Sequence, residues 1–373
     1  MSAAPRVEFV GLASPVVGRA GAGGHPCQGL YHRPAQGEPT TAFIATHYNV
    51  DFSEHYLASF LAERGFGFLG WNTRFRGGEM YFLLDHAIAE IAVGVRWLRE
   101  VAKVDRVVLL GNSGGGSLMA AYQSQAVAPE LRPEYGRSSV LEAAQDVPAC
   151  DLYVSLAAHT GRPEVLTGWL DPSVTDEFDS LSVDPALDPY DPANGSPFTP
   201  EFLTRYRAAQ VARNQRITQW CKDELERLGA AGARDRLFAT PRLWADPRMI
   251  DPTLDPSNRP ARSCYLGDPK AANYGIYGVG TVSSLRTWLS MWSLEESQCN
   301  GGPHLAKVTI PSLVIDADAD SGVFPSDTAQ IVADLGAKDL TTHTIGADHY
   351  LREVAGARDE AADLISEWTT ARA

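Results

Sequence analysis

No stretch of these 373 residues approaches the roughly 20 consecutive apolar residues that a membrane helix needs. No basic-then-apolar leader opens the chain, so no secretory signal is expected. Cysteine is scarce: the five residues, at 27, 150, 221, 264 and 299, are odd in number and include no C-x-x-C pair. Neither a disulfide framework nor a zinc site is signalled, and free thiols in a reducing compartment are the expectation. Together these absences read as a cytoplasmic protein. Positive charge is short too. A net charge of −14 argues against nucleic acid and anionic membrane as partners, because phosphate-binding surfaces need clustered Lys and Arg. A hydrophobic content of 44% and a charged content of 21% fall in the globular range. The length suits a large α/β domain carrying an insertion.

What is present alternates. Strands are expected near 7–12, 27–31, 41–46, 66–71, 106–110 and 152–156, with helices over 53–64, 81–102 and 114–126 between the later ones. Leu84, Ile88, Ile91, Val95 and Leu98 keep helical spacing in the second helix. A turn is expected at Gly21–Gly24, in a Gly-rich stretch. This rhythm predicts a mostly parallel sheet, doubly wound with helices on both faces. After residue 160 it breaks. Residues 161–305 hold 14 of the 24 prolines, 5 of the 8 tryptophans and eight Asp-Pro pairs. Their one long regular element is a helix over 200–228, whose stripe of Phe202, Tyr206, Ala209, Arg213, Ile217, Trp220 and Glu224 reads as internal packing. The rhythm resumes at Val308, with strands at 312–315 and 341–345 and helices over 326–335 and 351–368.

The most informative segment is Gly111-Asn112-Ser113-Gly114-Gly115, a G-x-S-x-G turn between the strand at 106–110 and the helix after it. Such a turn holds its serine in a strained conformation above the sheet edge, so small residues must flank it two positions away on either side. Glycine-rich turns also bind nucleotide phosphates. A dinucleotide fingerprint, however, needs glycine where Ser113 stands, and a P-loop needs a lysine, of which there is none between Lys103 and Lys222.

A serine hydroxyl needs a base, and the base needs an orienting carboxylate. The strand at 312–315 runs into Asp316-Ala317-Asp318-Ala319-Asp320, and the strand at 341–345 runs into Gly346-Ala347-Asp348-His349. In a parallel sheet both loops emerge at the same edge as Ser113. A calcium-loop reading of the aspartates fails, because an EF-hand counted from Asp316 would need Gly and Glu where Ser321 and Asp327 stand.

These segments resemble the α/β-hydrolase superfamily, over 41–160 and 306–373. The resemblance implies a core of 1–160 and 306–373, with 161–305 inserted as a mainly helical cap (lid) domain. It implies Ser113 as nucleophile, His349 as base and Asp320, rather than Asp318 or Asp316, as the acid. His47, His159, His304 and His343 are the rival histidines; the first two follow strands and line the expected site. The oxyanion hole is expected from the amide of Gly114 and from the His47-Tyr48-Asn49 loop, where Tyr stands in place of the usual Gly. Asn49 aligns with the second donor and Tyr48 is the alternative. Trp71-Asn72-Thr73-Arg74 resembles a structural turn of the same superfamily.

The implied activity is hydrolysis of a carboxylic ester, hydrophobic and bulky to suit an aromatic-rich cap, with aryl esters and lactones included. No metal or organic cofactor is implied. Carbon–carbon bond hydrolysis of aromatic catabolism and thioesterase or acyltransferase chemistry use the same residues and stay open, as does self-association. A non-catalytic binding protein would be expected to have lost a triad residue, and all three are present.

Overall fold

A computed structural model describes residues 4–16, 24–135, 137–141 and 146–372. Of the turn expected at Gly21–Gly24, only Gly24 lies within the described residues.

Eight strands form one sheet: β1 (Arg6–Leu12), β2 (Cys27–Arg33), β3 (Thr41–Ala45), β4 (Gly67–Asn72), β5 (Arg106–Asn112), β6 (Leu152–Leu156), β7 (Ser312–Ala317) and β8 (Leu340–Ile345). Their spatial order is β1-β2-β4-β3-β5-β6-β7-β8. β2 runs antiparallel to both β1 and β4, and every other pairing is parallel. The expected mostly parallel, doubly wound α/β sheet is therefore what forms.

Period-two alternation decides which helices cover which face. Ala42 and Ile44 of β3 and Val107 and Leu109 of β5 pack with one set of apolar residues. That set includes Leu84, Ile88, Ile91, Val95 and Leu98 of α2 (Leu84–Glu100) and Leu118 and Tyr122 of α3 (Gly115–Val127). The alternate residues Phe43, Ala45, Val108 and Leu110 pack on the other face. There they meet Leu61 of α1 (Ala58–Glu63) and, from the C-terminal helix Ala357–Thr370, Ile365 and Trp368.

Two helices start five or six residues later than their sequence pattern suggests, for tertiary reasons. The helix expected from Ser53 begins at Ala58. Its would-be first turn is held as a loop by the Asn72 side chain, whose Oδ1 accepts from Phe52 N–H at 2.9 Å and whose Nδ2 donates to Ser53 Oγ at 2.8 Å. The helix expected from residue 351 begins at Ala357. Before it, Asp348 accepts amides from Tyr350, Arg352 and Glu353 at 2.7–3.1 Å and winds the chain into a loop.

Between β6 and β7 run α4 (Arg162–Trp169), α5 (Pro200–Ala230) and several shorter helices. Two small two-stranded antiparallel sheets also occur, the hairpin Val174–Asp176 with Asp179–Val183, and Leu237–Ala239 with Val282–Ser284. Phe202, Tyr206, Arg213, Ile217 and Glu224 of α5 are all buried. Arg213 Nη1 donates to the carbonyl of Asp171 at 2.8 Å and Tyr206 Oη to that of Ala245 at 2.6 Å, so the stripe packs within this segment. The whole segment is anchored to the core. Arg248 bridges Asp246 at 3.0 Å and Asp327 at 3.0 Å, the latter on α6 (Pro325–Asp334). Among the described residues no helix is long and apolar enough to cross a membrane, and all five cysteines are buried and unpaired.

Candidate active site

Parallel strands deliver their loops to one edge, and five of them do so here. β3 leads to His47, β5 to Ser113, β6 to His159 and Arg162, β7 to Asp320 and β8 to His349. Ser113 has φ of +55°, a left-handed conformation that a serine adopts only under constraint. The constraint is visible. Ser113 N–H donates to the carbonyl of Leu156 at 3.2 Å, and Ser113 O accepts from the amides of His159 and Gly116 at 3.0 and 3.1 Å.

The motif glycines are required by close approach. A Cβ on Gly111 would lie 2.6 Å from Gly116 Cα, and one on Gly115 would run into the carbonyl oxygen of Thr46. Both obstacles are backbone and cannot swing away. Gly111→Ala is accordingly expected to lower stability by about 1–3 kcal/mol. Thermal unfolding by circular dichroism checks this, and an unchanged midpoint would contradict the packing account.

The structure brings Ser113, His349 and Asp320 together. Ser113 Oγ lies 3.0 Å from His349 Nε2, and His349 Nδ1 lies 2.5 Å from Asp320 Oδ2. Asp320 is buried, and its other oxygen accepts the amides of Gly322 and Val323 at 2.8 and 3.0 Å. With both carboxylate oxygens accepting, the proton sits on His349 Nδ1 and the Nε2 lone pair faces the serine. The neighbouring aspartates diverge: Asp316 accepts from Thr328 Oγ1 at 3.0 Å and Asp318 from Asn258 Nδ2 at 2.6 Å.

The rival histidines have other settings. His343 is exposed on β8. His304 is held between Ser124 Oγ and the Gln298 carbonyl, at 3.1 and 2.8 Å. His47 and His159 do line the cavity. Burial holds both well below the ordinary histidine range, with nearby positive charge as a further cause.

One expected donor has a partner within its own loop. Asn49 does not line the cavity, and its amide donates to His47 Nδ1 at 3.3 Å. The His47 imidazole thus engages the Asn49 and Val50 amides, the former being the one expected from the sequence as an oxyanion donor. The side chain of Tyr48, whose amide is the alternative donor, points inward to Ser117 Oγ at 3.1 Å. Gly114 stands directly before α3, which no side chain caps, so its amide lies at the helix's positive end. The Asn72–Arg74 turn is structural as expected: Arg74 Nε donates to buried Glu90 at 2.6 Å.

A cavity of about 290 Å³ opens on Ser113 and His349. Trp169, Trp244, Tyr265 and Val279, all from the segment between β6 and β7, form much of its wall. Trp169 and Trp244 stack at 4.8 Å. Tyr265 and Arg162 were not singled out from sequence. Tyr265 covers the imidazole of His349, with ring centroids 4.4 Å apart and its hydroxyl 3.1 Å from Nδ1. It lies in irregular chain, where no local pattern marks it. Arg162 is legible only as the first residue of a helix after a core strand.

No protein-family model matches the sequence, and no curated protein matches it. Solved structures do. The α/β hydrolase GrgF from Penicillium sp. sh18 is similar over 98% of each chain, at 11% identity and a TM-score of 0.54. The esterase domain of a Rhodothermus marinus protein is similar over 98% of each chain, at 10% identity and a TM-score of 0.48. A Paleococcus ferrophilus monoacylglycerol lipase is similar over 90% of this chain and 97% of its own, at 15% identity and a TM-score of 0.47. At such identities similarity speaks of fold. From its sheet, its strained serine turn and its likeness to GrgF, the chain has the α/β-hydrolase fold.

Proposed function

We propose that the chain is a serine hydrolase that cleaves carboxylic esters through an acyl-enzyme. The observation that carries this reading is the unbroken run of contacts from Ser113 Oγ through His349 to Asp320, at 3.0 and 2.5 Å. Ser113 attacks the ester carbonyl while His349 Nε2 takes its proton. Asp320 fixes the imidazole tautomer and stabilises the imidazolium. Collapse of the tetrahedral intermediate expels the alcohol, which receives its proton from His349 Nε2. A water then gives its proton to the same nitrogen and attacks the acyl carbonyl; collapse breaks the bond to Ser113 Oγ, which takes that proton back from His349 as the acid leaves. The Gly114 amide holds the oxyanion in both half-reactions.

The segment 161–305 serves as the cap. Its aromatic residues in the cavity wall support an apolar group on the substrate, and a volume of about 290 Å³ suits one of single-ring size. The test is a panel of aryl, lactone and aliphatic esters run beside vinylogous diketones, with an alcohol or thiol acceptor added. Ester turnover with release of free acid is expected. Diketone cleavage without any ester turnover, or transfer to the acceptor in place of hydrolysis, would overturn the reading.

A further inference from the structure

We infer that the side chains of Arg162 and His47 complete the oxyanion site beside Gly114, in place of a second backbone amide. This rests on the serine-hydrolase reading and adds two catalytic residues to it.

Arg162 is only 2% exposed, yet no carboxylate pairs with it among the described residues. Its Nε is buried without a partner. Glu79, whose charge acts on it, gives one oxygen to the amide of Gly280 at 2.7 Å and keeps the other buried without a partner, forming no salt bridge with the guanidinium. The guanidinium lies 4.4 Å from the Tyr48 ring and 5.6 Å from that of Trp292, which fixes its plane without satisfying its donors. A buried cation with idle donors is costly to keep. It is tolerable where negative charge arrives during turnover.

Among the described residues the single hydrogen-bond-length contact of the guanidinium is with His47, Nη2 to Nε2 at 3.3 Å. That contact is not a hydrogen bond. His47 Nδ1 accepts the amides of Asn49 and Val50, at 3.3 and 3.2 Å. A neutral imidazole that accepts at Nδ1 carries its proton on Nε2. Burial and the neighbouring guanidinium keep His47 neutral. Two donors therefore face each other with no acceptor between them.

Both lie over the residue that follows the nucleophile. A Cβ built on Gly114 would lie 2.5 Å from Arg162 Cζ and 2.8 Å from His47 Nε2. Both line the cavity that contains Ser113. An oxygen bound by the Gly114 amide would be the missing shared acceptor. The same imidazole that withdraws the Asn49 amide thus supplies its replacement, and the arginine adds a full charge in a water-poor site.

The test is Arg162→Met, assayed on an uncharged ester. We expect kcat to fall about 10²–10³-fold, with KM changed less than about threefold. Inhibition by a boronic acid, whose Ser113 adduct places an oxygen in the same site, should weaken by the same factor as kcat/KM. Unchanged kcat, or loss confined to KM or to esters bearing a carboxylate, would overturn the inference. A role in packing alone would leave boronate affinity tracking KM. Should Arg162→Met not fold, Arg162→Lys keeps the charge and loses the planar fork; at least a tenfold loss of kcat is expected, and an unchanged kcat refutes the assignment. Failure of the underlying reading is separable, because Ser113→Ala would then leave ester turnover intact.

Discussion

Ser113→Ala is expected to reduce ester turnover by more than about 10⁴-fold while leaving the fold intact. The size of the loss follows from what the hydroxyl does. Without it no acyl-enzyme forms, and the remaining oxyanion donors and binding contacts give only residual catalysis. The loss corresponds to about 5.5 kcal/mol of transition-state stabilisation. The intact fold follows from the backbone. The turn is held through Ser113 N–H to Leu156 O and Ser113 O to His159 and Gly116 N–H, none of which involves the side chain. Alanine inherits the same φ of +55° without added bulk. Steady-state kinetics and thermal unfolding measured on one preparation separate the two effects. Residual activity within tenfold of the native protein would remove Ser113 from the mechanism.

Asp320→Asn is expected to lower kcat by about 10⁴-fold with little change in KM. The carboxylate is fully used, with Oδ1 accepting from the Gly322 and Val323 amides and Oδ2 facing His349 Nδ1. Asparagine keeps the bonds to the amides only by placing its oxygen there, which turns its NH₂ toward Nδ1. Two donors cannot share that contact, so the imidazole must move its proton to Nε2. That proton then faces Ser113 Oγ across the 3.0 Å gap, where the lone pair is needed. The alternative rotamer sets the NH₂ against two backbone donors. Nitrogen NMR of the imidazole reads the tautomer directly, and a kcat within tenfold of native would show that Asp320 does not set it.

The sheet and the meeting of Ser113, His349 and Asp320 were legible because both obey strong local rules. β3, β5 and β7 are short apolar runs with residues for each face in alternation, Ser113 and Asp320 stand in loops after two of them, and His349 follows the more polar β8 in the same sheet. The glycines of the elbow carry a steric demand that any reader of the sequence can name. The remainder depended on contacts across the chain. Ser53 begins a plausible helix until the Asn72 side chain, 19 residues on, claims the loop for itself. Asn49 aligns with an oxyanion donor until the orientation of the His47 ring is known. Tyr265 reaches His349 across 84 positions from a stretch with no periodicity. The hairpin at 174–183 is largely exposed and rich in Asp and Ser, so neither burial nor β-propensity announces it.

The account turns on one nucleophile activated by one histidine. Reaction with a fluorophosphonate, followed by mass mapping of the adduct, tests that relation most directly. A single adduct on Ser113, lost in His349→Ala, is the predicted result. Protein that turns over esters yet stays unlabelled, or that carries its adduct on another residue, would contradict it.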